Sequence, residues 1–232
     1  MDKYIKYLDK NNYSKNTIKT YKNILENYVD LLSDMRLVRS KLLDDKYSPN
    51  TMWTHYNVLL SYLKFKKDKR TNVLSRIKLS KIPNVYRQVF TKDFLYKKTS
   101  DLDNYKNIIV RLLFETGIRA NELKSLTLVD QSTIKVVGKG NKTREIFHNF
   151  ETTKLFKGFE YSYKTLRMWV KEVLGNEYTP HSIRRSHATH MLLRGANPKT
   201  VMLQLGHSKV ETTYKYLNLS KKENRKQYLK HF

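Results

Sequence analysis

Apolar residues recur every three or four positions over most of this chain, the pattern of helices that bury one face. Behind Ser14, a good N-cap, Ile18, Tyr21, Leu25, Tyr28 and Leu32 form one stripe. Ser48-Pro49 is a cap followed by proline at the first helical position, and Met52, Tyr56, Leu59 and Leu63 form the next stripe. Lys and Asn fill the other faces, so residues 1–67 read as a small helical bundle. Ile108, Ile109, Leu112, Leu113 and Phe114 predict a helix within 105–126, which Gly117 can end in the left-handed conformation. Leu166, Trp169, Val170, Val173 and Leu174 predict another, ended by Gly175-Asn176. Met191, Leu192 and Leu193 are core candidates on a helix that follows Thr179-Pro180 and ends at Gly195. Asn197-Pro198 opens a last helix through Val201 and Leu205.

The period changes over 133–147. Ile134 and Val136 alternate with polar neighbours, Gly138-Lys139-Gly140-Asn141-Lys142 makes a turn, and Arg144 and Ile146 follow. This predicts a β-hairpin with a basic tip. It is no nucleotide loop, because the Walker spacing is absent and no helix starts after it. Lys64 to Lys92 is dense in Lys and Arg and leaves little room for a core; its later part reads as a linker. Residues 148–160 carry no pattern. The expected architecture is mainly α with a small β-hairpin or sheet, in two domains: 1–80 helical, 81–90 a basic linker, 91–232 the second domain.

Charge narrows the partners. The 232 residues include 46 Lys and Arg against 21 Asp and Glu, a net +25. Such a balance predicts salt-dependent attraction to polyanions, with nucleic acid first, a membrane surface second and ribosomes third. There is no cysteine, hence no disulfide and no thiolate metal site, which fits an intracellular protein. The first residues hold no apolar signal core, and no run reaches membrane-spanning length.

The chemistry concentrates between Pro180 and Tyr216. His181 and Arg184 are three apart and share a helix face. His207 follows a glycine, and Tyr216 lies nine residues beyond it. The arginine fork matches phosphate oxygens, and a tyrosine hydroxyl can form a covalent ester with phosphorus. A single His-x-x-Arg is commonplace on solvated helices, and the chain has 17 tyrosines, so only the joint spacing informs. His181, His187 and His190 lack a fourth ligand for zinc. Asp101 and Asp103, the nearest approach to the carboxylate cluster of a metal nuclease, read as loop or cap residues.

His181-Ser-Ile-Arg184, Leu205-Gly-His-Ser208 and Tyr216 together resemble the tyrosine recombinase (phage integrase) family. Thr116-Gly-Ile-Arg-Ala-Asn-Glu-Leu123 and Gly138-Lys-Gly-Asn-Lys142 resemble its first-arginine and hairpin motifs, in the same order. More loosely, the phrases starting at Ser14 and Ser48 resemble its core-binding domain. The resemblance implies a C-shaped clamp: a helical core-binding domain on one face of a DNA duplex, plus a catalytic domain. It implies that Arg119 and Arg184 grip the scissile phosphate and Lys139 protonates the leaving 5′-oxygen. His181 would help accept the tyrosine proton, His207 would hydrogen-bond the phosphate, and Tyr216 would attack to give a 3′-phosphotyrosine. Glu122 would support Arg119, with Leu123 and Leu126 in the core. Lys142 and Arg144 are expected on backbone phosphates, and Arg185, Lys66 and Lys67 on DNA. No metal, ATP or other cofactor is implied.

Two positions depart from the family pattern: Arg185 stands where His is frequent, and His187 where an apolar or aromatic residue is usual. The partners implied are double-stranded DNA and copies of the chain, a homotetramer on two DNA sites and a monomer or dimer when free, with no membrane. Tyr228, Leu229 and Phe232 would either pack on their own domain or reach a neighbouring subunit. No additional N-terminal arm-binding domain is expected. Integration or excision of a mobile element or virus is the first expected role, and chromosome or replicon dimer resolution the second. A type IB topoisomerase is the enzymatic rival. A catalytically dead DNA-binding protein is the other, and the full set of six motif residues argues against it.

Overall fold

Side-chain caps set where the helices begin. In the computed structural model, which describes residues 1–83, 89–138, 140–207, 225, 228 and 229, Ser14 Oγ accepts the Thr17 N–H at the start of α2 (Lys15–Glu26). Ser48 Oγ does the same for Thr51 at the start of α4 (Pro49–Phe65), with Pro49 in the first turn. The chain divides into two compact units, Met1–Val85 and Tyr86–Phe232.

The first unit is helical. α1 (Asp2–Lys10), α2, a 3₁₀ turn (Val29–Ser33), α3 (Met35–Leu42), α4 and α5 (Arg70–Ser75) enclose Tyr4, Leu8, Leu25, Tyr28, Val38, Leu42, Leu59, Leu63 and Leu74. Each such leucine contributes about 1.5–3 kcal/mol by leaving water. The two buried tyrosines satisfy their hydroxyls, Tyr4 donating to Ser61 Oγ at 2.7 Å and Tyr28 pairing with His55 Nδ1 at 3.1 Å. The stretch after Lys64 corrects the sequence reading. It makes helix α5, Leu74 is fully buried, and Ile77 and Leu79 pack on the same core. Widely spaced apolar residues suffice to dock it while the lysines stay outside and Arg70 pairs with Asp68 and the Leu32 carbonyl.

The second unit centres on α7 (Tyr105–Thr116), where Ile109, Val110, Leu112 and Leu113 are buried in near succession. A helix apolar on several sides belongs inside a fold. α6 (Lys92–Lys98), α9 (Tyr163–Leu174) and α10 (Pro180–Leu193) pack against it. Phe90, at the end of the expected linker, is buried with Phe114 and Tyr178 in this core. The hairpin is present and is joined by a short third strand, giving the antiparallel order β1 (Thr127–Leu128), β2 (Thr133–Val137), β3 (Thr143–Phe147). The register pairs Ile134 with Ile146 and Val136 with Arg144. Residues 148–160 hold the short helix α8 (Phe150–Thr153) and a buried Phe159.

Met191, Leu192 and Leu193 are half-buried, and the first two pack against the small core of Ala188, Val201 and Leu205. The inward face of α10 is held by Ile183, Arg184, His187 and Ala188 instead. α11 (Pro198–Leu205) closes the described fold, capped by Asn197. Among the described residues, no helix is long and apolar enough to cross a membrane.

Candidate active site

Two glycine turns build the site. α7 ends at Gly117, in the left-handed region at φ 65°, with its N–H on the Leu113 carbonyl. A Cβ here would lie 2.5 Å from His187 Cδ2 and 2.9 Å from Leu205 Cδ2, so a side chain is excluded twice over. The chain then turns through Arg119 into a 3₁₀ segment, Ala120–Ser125. α11 ends at Gly206, φ 63°, in a Schellman arrangement: Gly206 N–H bonds Leu203 O, and His207 N–H bonds Met202 O. That arrangement leaves the carbonyls of Leu205 and Gly206 to other donors, at the negative end of the helix.

Arginines take them. Arg184, only 4% exposed, donates from Nη1 to Gly117 O and from Nη2 to Leu205 O, both at 2.6 Å. Arg119 donates from Nη2 to Gly206 O at 3.2 Å. Successive carbonyls of one turn therefore anchor two guanidinium groups side by side. Glu122 is the counter-charge. Its Oε2 accepts the Arg119 main-chain N–H at 2.6 Å, and its Oε1 accepts Arg119 Nη1 at 3.0 Å. Arg144 meets both carboxylate oxygens in a fork, at 2.7 and 2.8 Å. Burial pushes the Glu122 pKa up, but the bonds from Arg144 and Arg119 outweigh it and hold the carboxyl below its ordinary value. Arg144, expected on backbone phosphates, has a side chain 17% exposed with both terminal nitrogens on Glu122. The Val136–Arg144 pairing on the sheet turns it toward Glu122.

His207 follows this turn directly. Burial lowers its pKa to about 4, with further depression from Arg184, Arg119, Arg144 and His181. It is a neutral imidazole beside a cluster of cations. His181, in the first turn of α10, is exposed and contributes to the field at His207, while Arg184 three residues on points inward. His187 is also deeply buried, its pKa lowered to about 4 chiefly by burial; its Nδ1 lies 2.6 Å from Phe114 O.

The structure thus brings together Arg119, Glu122, Arg144, His181, Arg184 and His207. Lys142 is exposed on the hairpin, Arg185 is half-buried on α10, and Lys66 and Lys67 are exposed in the other unit. Lys139, Tyr216, the competing Tyr214 and Phe232 lie outside the described residues; Tyr228 and Leu229 are exposed. No group of His, Asp or Glu suited to a metal ion occurs among the described residues. Sequence reasoning missed Gln204, which faces inward beside this cluster at 7% exposure. The available signal was one polar residue inside the apolar run Val201–Leu205.

A cationic cluster on a mainly helical frame with a small sheet is the arrangement that the resemblance to the phage integrase class implies. The Phage integrase family profile matches residues 160–223. Tyrosine recombinase XerA of Pyrococcus horikoshii is 30% identical over 260 residues, covering 97% of this chain and 90% of that protein. The chain belongs to the tyrosine recombinase family. Tyrosine recombinase XerC of Staphylococcus epidermidis is 32% identical over 167 residues, 57% of this chain and 56% of that protein, so the chain spans just over half of that relative's length. Among solved structures, a lambda integrase dimer bound to a COC′ core site aligns with TM-score 0.73 at 15% identity, over 93% of this chain and 75% of that one. XerH recombinase bound to a palindromic difH substrate aligns with TM-score 0.70 at 18% identity, over 91% and 79%. These likenesses show a shared fold.

Proposed function

We propose that this chain is a site-specific DNA recombinase that cuts and rejoins strands through a 3′-phosphotyrosine at Tyr216. The observation that carries the reading is the pair of guanidinium groups anchored on the successive carbonyls of Leu205 and Gly206, with His207 next in the chain. Two forks fixed in this way can bind the non-bridging oxygens of one phosphodiester and stabilise the charge that grows on them, which is the largest expected catalytic contribution. A neutral His207 offers the phosphate an N–H without adding repulsion to the arginines. His181, exposed and contributing to the field at His207, helps accept the phenol proton. Lys139 supplies the proton to the leaving 5′-oxygen. The ester bond conserves the phosphodiester's energy, so neither ATP nor a metal is needed, and a 5′-hydroxyl reverses the step.

Double-stranded DNA is the partner, and relatives of this fold have been solved with DNA bound. Exchange of two duplexes needs four cuts with one tyrosine each, so the working assembly is a homotetramer on two sites. The test is a nicked suicide duplex carrying the site. Wild type should accumulate a covalent adduct, and Tyr216→Phe should bind DNA and form none. An adduct lost in Tyr214→Phe and kept in Tyr216→Phe would move the nucleophile.

The Xer names of the curated relatives favour a second reading of the biological role, resolution of chromosome or replicon dimers, over integration or excision of a mobile element. Mapping covalent adducts in cells separates the two. Resolution requires one site per replicon, and integration requires sites at both borders of an inserted segment.

A further inference from the structure

α11 turns a glutamine inward and a leucine outward. Gln204 is 7% exposed, on the same face as the fully buried Val201 and Leu205, while Leu203 is 61% exposed. A buried amide must find partners, and this one finds three, all main-chain groups. Its Oε1 accepts the Phe147 N–H at 3.1 Å, and its Nε2 donates to Phe147 O at 2.7 Å and to Thr116 O at 3.1 Å. Exchanging both bonds with one residue is what a neighbouring strand does in an antiparallel pair. β3 is the outer strand of the sheet, so the side chain serves as a one-residue strand on its open edge.

The three segments joined here are the three that carry the site. Thr116 precedes the Gly117 turn and Arg119, Phe147 ends the strand that holds Arg144 and follows the Lys139 hairpin, and Gln204 stands two residues before Gly206. We infer that Gln204 is a positioning residue: it fixes the hairpin, and with it Lys139, against the turn that anchors the two phosphate-gripping arginines. This inference rests on the recombinase reading above. Because every bond is to main chain, the clamp measures where the hairpin stands and is indifferent to its side chains. Displacing a catalytic group by about 1 Å can cost 10²-fold in rate.

The experiment compares wild type, Gln204→Met and Lys139→Ala on two suicide duplexes, one with an oxygen and one with a sulfur at the bridging 5′ position. Methionine keeps the length and apolar bulk of the side chain and deletes the three bonds. The expected result is a 10- to 100-fold slower single-turnover cleavage of the oxygen substrate by Gln204→Met, with DNA affinity within twofold of wild type. Sulfur leaves without a proton, so both variants should recover on that substrate. Full-rate cleavage of the oxygen substrate by Gln204→Met overturns the inference. So does a loss that sulfur fails to restore while Lys139→Ala is restored, because the glutamine is then merely structural. Should Gln204→Met fail to fold, Gln204→Glu keeps the bond from the Phe147 N–H and loses the other two, and the same outcomes are read on it. A wild-type chain inert on both substrates overturns the recombinase reading itself, and this inference with it.

Discussion

Glu122 is one carboxylate shared by two arginines, and its two partners are not equal. The Arg119 side chain is 41% exposed, so solvent screens its share; Arg144 is 17% exposed and depends on the pair. Glu122→Ala strands a buried cation and should cost about 3–5 kcal/mol. Adding Arg144→Met should recover most of that, because an apolar replacement of the whole pair is often neutral. Urea denaturation of both single variants and the double variant measures the coupling, and simply additive losses would show that none exists. The imidazoles make a second prediction. His187 and His207 take up protons near pH 4 in the folded chain and near 6.5 when unfolded. Their folded values are the lower ones, so their contribution to stability is present above 6.5 and is lost as pH falls toward 4. His187→Phe should move the acid-unfolding midpoint to lower pH, as followed by circular dichroism. An unchanged midpoint would take His187 out of the acid response.

At the scale of elements, the glycine that ends α11 is the most constrained joint. A Cβ on Gly206 would lie 2.7 Å from Arg144 Nε and 2.8 Å from its Cζ, besides requiring a positive φ. Gly206→Ala should cost about 1–2 kcal/mol from the backbone alone. It should also displace Arg144 from Glu122, so that adduct formation falls further than stability does. A cleavage rate that tracks the fraction folded would refute the second part. Much of this was legible in the sequence, because caps and apolar periods are local. Ser14, Ser48, Asn197 and the Gly117 turn lie where the residues place them. The failures are non-local. Nothing near Gln204 says that a strand edge fifty-seven positions away needs an acceptor and a donor. Nothing near Arg144 says that its charge is taken up by Glu122. Met191, Leu192 and Leu193 look like full core beside their neighbours, yet they are only half-buried, and α10 shares its inner face between Ile183 and Ala188 and the polar Arg184 and His187.

For the molecule as a whole, the recombinase reading makes the net charge of +25 the term that sets how it meets DNA. Affinity should fall steeply between 50 and 200 mM salt, the loss scaling with the number of phosphates contacted. Lys142→Ala, on an exposed hairpin lysine, should weaken binding and lower the slope of log K against log salt by about 1. An unchanged slope would place Lys142 off the phosphates. The site's cations, in contrast, are braced by carbonyls that arrive late. Gly117 and Arg184 are 67 positions apart, and Arg119 and Gly206 are 87 apart. At roughly 5–20 residues per second, a ribosome delivers Arg119 several seconds before the carbonyl that anchors it. Until then the nascent chain already carries much of its positive charge, but it has no assembled grip on a phosphate. On the recombinase reading, its first encounters with DNA are therefore adhesive and chemically harmless, because the paired arginines gain their anchors only once the Leu205–Gly206 turn has folded.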